Sequence, residues 1–258
     1  MIHFFILTLF PSVIECYCSV GIVNQAIKKG KVTISTLNLR DFAPKGQVDD
    51  EAYGGFPGMV IKPEPIFEAY ESIVSEYGKP YVLITEPWGR KIDQKFLEEL
   101  KCKKTIAIIC GRYEGIDERV KKIVNEEVSL GDFILSGGEL VALTLIEGIS
   151  RLIPSVLSDP ESLKEDSFKS RWLGYPVYTR PREYKGMKVP QILLSGNHRL
   201  IELWKLWHRI ENTLKKRPQL VPQDLNSLEE EIVNAIKKGF SFEEWLNKRE
   251  KRMLKSDL

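Results

Sequence analysis

At 258 residues, with 43% apolar and 29% charged side chains, the chain can bury a sizeable core and has an ordinary globular composition, which excludes a disordered or fibrous protein. A net charge of only +2 argues against a uniformly basic nucleic-acid binder. The charge is unevenly spread, however: residues 169–220 hold 12 Lys and Arg against 3 Glu and no Asp, a balance of +9 that leaves −7 elsewhere, which is either a footprint for a polyanion or a solvated face.

The opening MIHFFILTLF lacks the basic start and small-residue cleavage site of a signal sequence, and no other apolar run reaches membrane length. Residues 2–9 are therefore expected as the first buried strand of a soluble protein. Pro11 opens a helix through Val13, Ile14, Val20 and Ile22, and residues 31–39 alternate like a second strand, joined by a connection long enough for a parallel crossover. Residues 40–65 are dense in Gly, Pro and Asp and too long for a mere connection, so they read as a lid or binding loop. Helical spacing follows over 64–77, then a buried strand over 81–84. That strand meets a corner at Thr85, Glu86, Pro87, Trp88 and Gly89, after which 93–100 read as a helix.

The central stretch, TIAIICGRYEGIDERVKKIVNEEVSLGDFILSGGELVALTLIEG, places two Gly-rich corners directly after apolar runs. Residues 105–110 read as a strand buried on both faces. It ends at Gly111, where Arg112, Tyr113, Glu114 and Gly115 turn the chain into helical spacing at Ile116, Val120, Ile123 and Val124. The second corner, 130–139, sets Gly131, Gly137 and Gly138 around Phe133, Ile134 and Leu135, and opens into an apolar helix over 140–149. Open α/β sheets bind ligands at such strand, corner and helix junctions. Neither corner is a phosphate cradle, because G-x-G-x-x-G is missing and no Lys-Ser or Lys-Thr follows the glycines. The glycines could equally serve positive φ or close packing. Glu114, Asp132 and Glu139 between them favour a ligand that is not anionic.

Residues 155–171 are polar, with Pro160 and several acids, and read as a linker. An amphipathic helix over 199–211 carries Leu200, Leu203, Trp204, Trp207 and Ile210 on one face. Ser227 with Glu230 and Ser241 with Glu244 have capping-box spacing, and Gly239 stops the first of these two helices. Trp172, Tyr175, Tyr178, Tyr184, Trp204 and Trp207 interleave the basic stretch and could stack on unpaired bases, although the two late tryptophans suit a core better. Cys16, Cys18, Cys102 and Cys110 make no paired C-x-x-C units and are not spaced with His3, His198 or His208, so no metal site is expected. Sparse cysteine fits the cytoplasm, with Cys110 a small core hydrophobe. The predicted layout is an α/β domain at 1–158, a flexible acidic linker at 159–171 and a helical domain at 172–258.

CGRYEGIDERV, SLGDFILSGGEL, VDDEAYGG and EDSF, in this arrangement, resemble the TrmD family of bacterial tRNA (guanine-N1)-methyltransferases in the SPOUT superfamily, over about residues 7–220. The resemblance implies an open, mostly parallel α/β sheet with a deep trefoil knot, which folds S-adenosylmethionine into a bent shape, plus a small all-helical C-terminal domain for tRNA. It implies methylation of N1 of guanosine 37 beside the anticodon, by a cytoplasmic homodimer whose active site lies between subunits. Partners would be the tRNA anticodon stem-loop and a second copy of the chain, with neither DNA nor a membrane involved.

By the same resemblance Asp166 of EDSF is the general base and Arg151 of SRLIP the cation at O6. Thr85, Pro87, Gly111, Tyr113, Glu114, Leu130, Gly131, Asp132, Phe133, Ile134, Leu135, Gly137 and Gly138 are implied as methyl-donor positions, and Mg2+ enters as a family-based option with no ligands assigned. The roles suit the chemistry, since N1 must lose its proton before its lone pair can attack, and negative charge then grows on O6. From the residues alone, Asp166 reads rather as a helix N-cap and Arg151 as a surface arginine at a helix end, and only the family match reverses this. Departures from the family pattern are Ala52 for a proline, Phe56 for a third glycine, and Glu86 and Trp88 within a corner that usually reads Leu-Ser-Pro-Gln-Gly. Two alternatives stand beside this reading: a knotted methyltransferase for rRNA or a ribose hydroxyl, which would need no Asp166, and a non-catalytic RNA-binding module.

Overall fold

Five strands pair into one parallel sheet. Strands β1 (Ile2–Thr8), β2 (Val32–Asn38), β5 (Tyr81–Lys91), β6 (Thr105–Ile109) and β7 (Glu126–Ser129) lie in the order β2-β1-β6-β5-β7, and every neighbouring pair is parallel. This computed structural model describes residues 1–55, 57–157, 167–168 and 171–256. Its contacts divide the chain into two units, Met1–Ser158 and Asp159–Leu258.

Alternation along the strands fills two cores, one on each face of the sheet. Phe4, Ile6, Ile106 and Ile108 face helices α1 (Pro11–Cys18), α2 (Gly21–Lys28), α4 (Gln94–Leu100) and α5 (Glu139–Leu152). Phe5, Leu7, Ala107 and Ile109 face α3 (Pro63–Tyr77). Cys110 is fully buried, and burial pushes its thiol well above the ordinary range, as suits an inert packing residue.

Four departures from the sequence reading have local causes. The helix expected between β1 and β2 is two helices, interrupted where the Ser19 hydroxyl donates back to the Cys16 carbonyl at 2.7 Å. The expected corner at 85–89 is a bulge inside a longer strand: Val128 of β7 pairs with both Thr85 and Arg90, so 86–89 leave the ladder and the strand resumes. Asp93 then caps α4 by accepting from Phe96 N at 2.8 Å. After the first Gly corner the helical spacing yields only a 3₁₀ segment, Glu118–Ile123, because the backbone is extended again at Val124 to enter β7. The fourth is the long loop at 40–65, which holds a hairpin of β3 (Asp49–Glu51) and β4 (Met59–Ile61). It is tied to the first corner through Glu114 N to Met59 O and Ile61 N to Gly115 O, both 3.0 Å. Phe56 lies outside the described residues.

The second unit is helical, with one short hairpin of β8 (Glu183–Tyr184) and β9 (Met187–Lys188) added to the expected helices. Helices α6 (Gln191–Leu194), α7 (His198–Lys216), α8 (Ser227–Lys237) and α9 (Phe242–Ser256) follow. Trp172, Trp204, Trp207, Ile232, Phe242 and Trp245 form its core. Trp172 donates to the buried Glu229 at 2.7 Å, so it is a core residue and not a stacking platform, whereas Tyr178 and Tyr184 are exposed. The capping box of α8 is Asn226 with Glu229, one residue earlier than the spacing suggested. The Ser241 and Glu244 box forms as read.

Trp207 is 2% exposed and packs on Phe242 and Trp245 with ring centroids 5.9 and 5.4 Å away. Trp207→Ala should destabilise the second unit by about 3–5 kcal/mol. Urea unfolding should show that unit's transition moving to lower denaturant while the first unit's stays in place.

Candidate functional site

Three segments meet at the carboxyl ends of the parallel strands: the bulge of β5, the corner after β6 and the corner before α5. Thr85 joins them. Its Oγ1 accepts from Gly111 N at 2.8 Å, and Gly138 N donates to Gly111 O at 2.9 Å. A Cβ at Gly138 would lie 2.0 Å from Thr85 Oγ1, and one at Gly137 would lie 2.2 Å from Arg112 Nε. Gly138 has an ordinary φ of −84°, so close approach, not a positive φ, demands glycine there.

Arg112 and Gly137 bridge the two corners as an antiparallel pair. The Arg112 guanidinium donates to Glu139 Oε2 at 3.1 Å, and the Thr8 hydroxyl donates to Glu139 Oε1 at 2.8 Å. Glu139 is 3% exposed, so this carboxylate is spent inside the frame and is not one of the acids presented to a ligand. Tyr113 sits at φ +58°, a left-handed conformation that a non-glycine residue adopts only where its surroundings hold it.

These segments enclose an open cleft. Gly111, Tyr113 and Glu114 line it from the first corner, Thr85 and Pro87 from β5, and Leu130, Gly131, Phe133, Leu135, Gly137 and Gly138 from the second corner. A sequence model described as tRNA (Guanine-1)-methyltransferase TrmD matches residues 2–223.

The chain belongs to the TrmD family.

It is 67% identical to a tRNA (guanine-N(1)-)-methyltransferase of Aquifex aeolicus, over 98% of each chain, and 59% identical to one of Persephonella marina, over 95% of this chain and 98% of that one. A crystal structure of tRNA (m1G37) methyltransferase from Aquifex aeolicus superposes with a TM-score of 0.73 at 65% identity, covering 89% of this chain and 99% of that chain.

Two donor positions implied by the TrmD resemblance do not line the cleft. Asp132 is exposed and pairs with Lys91 Nζ at 2.5 Å, and Ile134 is 89% exposed. Arg151, in the last turn of α5, does not line it either; it borders a separate depression with Tyr17, Val20, Glu147 and Leu157. Asp166 lies outside the described residues. Among the described residues no group of three or more His, Cys, Asp and Glu could hold a metal ion.

The cleft also recruits residues that the sequence did not assign to it, chiefly Glu86, Trp88, Arg112 and Ser136. Glu86 and Trp88 were visible only as departures from the TrmD corner motif, and strand periodicity cannot foresee a bulge that turns 86–89 out of the ladder. Trp88 is 69% exposed and donates to Glu127 at 2.8 Å. Glu86 is 8% exposed. Burial raises its carboxyl from 4.5 to about 7, with Lys121 opposing and Glu127 and Glu118 reinforcing the shift.

A carboxyl raised on folding binds its proton more tightly in the native state, so its contribution to stability is present below 4.5 and is lost as pH rises through about 7. Glu86→Gln cannot ionise. Denaturant midpoints measured across this range should therefore show the variant gaining on the wild type as pH rises, and parallel curves would mean that Glu86 titrates normally.

Proposed function

We propose that this protein methylates N1 of guanosine 37 in tRNA, with S-adenosylmethionine as donor. The observation that carries the proposal is the gathering of eleven motif positions from three strand ends into one cleft, in a chain of the TrmD family. The cleft suits this donor. Leu130, Phe133 and Val141 offer apolar surface to a neutral nucleoside, Glu114 offers a carboxylate to a sulfonium, and Arg112, the one Lys or Arg among the described residues that line the cleft, is engaged by Glu139. Gly137 and Gly138 would let the ligand bend against bare backbone.

S-adenosylmethionine supplies the electrophilic methyl group. Asp166 takes the proton from guanine N1 and so exposes the lone pair, and Arg151 offsets the charge that grows on O6. Because Arg151 borders a depression other than the cleft, with the exposed Tyr17 and Val20 beside it, we infer that a second copy completes the site, which makes the enzyme a homodimer. The trefoil knot of the SPOUT superfamily belongs to the same reading. The described residues provide no Mg2+ cluster, and no step is assigned to one. The basic 172–258 domain binds the anticodon stem-loop, with the exposed Tyr178 and Tyr184 available to stack on unpaired bases. No described helix is long and apolar enough to cross a membrane, and the tRNA substrate assigns the enzyme to the cytoplasm.

The direct test is methyl transfer to unmodified tRNA with identification of the modified nucleoside; formation of a product other than 1-methylguanosine would refute the assignment. Asp166→Asn should lower turnover by about 10²-fold or more, with binding of both substrates nearly unchanged. Mixing Asp166→Asn chains with Gly138→Val chains, whose added side chain would displace Thr85, should restore activity through heterodimers that hold one intact site. No recovery in mixtures shown to exchange subunits would place the whole site in one chain. The affinity for tRNA should fall steeply as salt is raised, as counterion release requires, and a flat response would reduce the +9 stretch to a solvated face.

A further inference from the structure

The stretch that follows Asp166 in the chain is strapped to the helical unit. Ser167 Oγ accepts a hydrogen bond from Gly174 N at 2.7 Å, and a Cβ at Gly174 would stand 3.1 Å from that oxygen, so the bare backbone of glycine leaves the hydroxyl room to close the loop. Gly174 O accepts from Asn212 Nδ2 of α7 at 2.8 Å, and Leu173 N donates to Thr213 Oγ1 of α7 at 3.0 Å. Thr213 is fully buried, and its hydroxyl donates in turn to Arg209 O at 2.7 Å. Arg171 donates to Asp224 Oδ1 at 3.1 Å, and Trp172 belongs to the core of the unit. Within the loop that Ser167 closes, Phe168 takes φ +68°, a left-handed conformation that a non-glycine residue keeps only where its surroundings hold it.

Resting on the reading of Asp166 as the general base, we propose that Ser167 is a positioning residue. Its hydroxyl, through Gly174 and Asn212, fixes the base to the tRNA-binding unit, so that the base is presented to guanine N1 by the same body that holds the RNA. Covalent geometry carries the first step: consecutive Cα atoms are about 3.8 Å apart, so an anchor at Ser167 leaves its neighbour only rotation about a few backbone bonds. The second step is the division of labour between the units. Every residue lining the donor cleft lies in Met1–Ser158, whereas Ser167, Gly174, Asn212 and Thr213 lie in Asp159–Leu258. Donor binding and base placement therefore belong to different parts of the chain, and the anchor acts on the second alone.

A hydroxyl that served only the stability of the helical unit would behave differently. Its loss would lower the unfolding midpoint and leave the rate per folded molecule unchanged. Proton abstraction is more demanding than folding, because the base must come within hydrogen-bond reach of N1, and a misplacement of about 1 Å can cost on the order of 10²-fold in rate. Ser167 is only half-buried, so its single neutral hydrogen bond contributes little to stability. The same bond has a large effect if it sets the aim of a catalytic carboxylate.

The test is the single-turnover rate of methyl transfer to unmodified tRNA, with tRNA and S-adenosylmethionine both saturating, in full-length chains. Ser167→Ala should lower this rate by about 10-fold or more, with the affinities for both substrates nearly unchanged. Ser167→Thr keeps the hydroxyl and should recover most of the rate. Asn212→Ala, which frees Gly174 from α7 and touches neither the base nor Ser167, should lower the rate in the same direction. In an Asp166→Asn background, Ser167→Ala should cost nothing further, because a group that acts through the base has no effect once the base is gone. A wild-type rate in Ser167→Ala, a Ser167→Thr as slow as Ser167→Ala, an unchanged Asn212→Ala, or a full additional loss in the double variant would each overturn the proposal. If urea unfolding shows that Ser167→Ala does not fold, Asn212→Ala with and without Asp166→Asn completes the same cycle and decides the matter. A wild-type rate in Asp166→Asn alone would remove the base reading itself, a result distinct from all of these.

Discussion

The site depends on how little room Thr85 leaves. Two backbones close on its side chain, Gly111 through a hydrogen bond to Oγ1 and Gly138 through a contact that a single Cβ would block. Gly138 N in turn reaches Gly111 O, so the exit of β6 and the start of α5 are fixed to each other and to β5 at one point. The corners are thus rigid because three elements share a hydroxyl and two bare backbones. Their shape does not rest on any strained conformation at Gly138.

The buried Thr8, Arg112 and Glu139 cluster fixes the orientation of the same corner. A carboxylate in the first turn of α5 is favoured by the helix dipole, and here it also holds the guanidinium of the first corner and the end of β1. Arg112 lies 4.3 Å from the Phe10 ring, which shields the pair from water. Breaking such a pair leaves an uncompensated buried charge. An arginine and a glutamate that sequence spacing could have offered to a ligand are instead consumed in holding the cleft open at its correct width.

Much of this was legible in the sequence, for reasons tied to particular residues. The strands at 2–9 and 105–110 were readable because both faces of a parallel sheet are covered and the runs are continuously apolar. The corners stood out because glycine follows strand directly. What failed were features that depend on partners distant in sequence. Nothing around 81–91 says that Val128 will pair twice and eject 86–89, so a strand with a bulge read as a corner. Trp172 read as a base-stacking surface because its partner, Glu229, lies 57 residues away. Asp132 read as a site acid because its pairing with Lys91, 41 residues earlier, is invisible in the local pattern. Chemistry common to one motif was legible, but its distribution between ligand and frame was decided by tertiary contacts.

The tryptophans give the molecule two separate optical reporters. Four of the five, Trp172, Trp204, Trp207 and Trp245, are sequestered in the second unit, in a dry environment that shifts indole emission to the blue. Trp88 is alone in the first unit, largely open to water at the rim of the cleft. The red side of the emission band therefore follows the one side chain that a ligand would cover, while the blue emission follows the integrity of the helical unit. A single unmodified sample can report occupancy of the cleft and melting of the other unit in two colours.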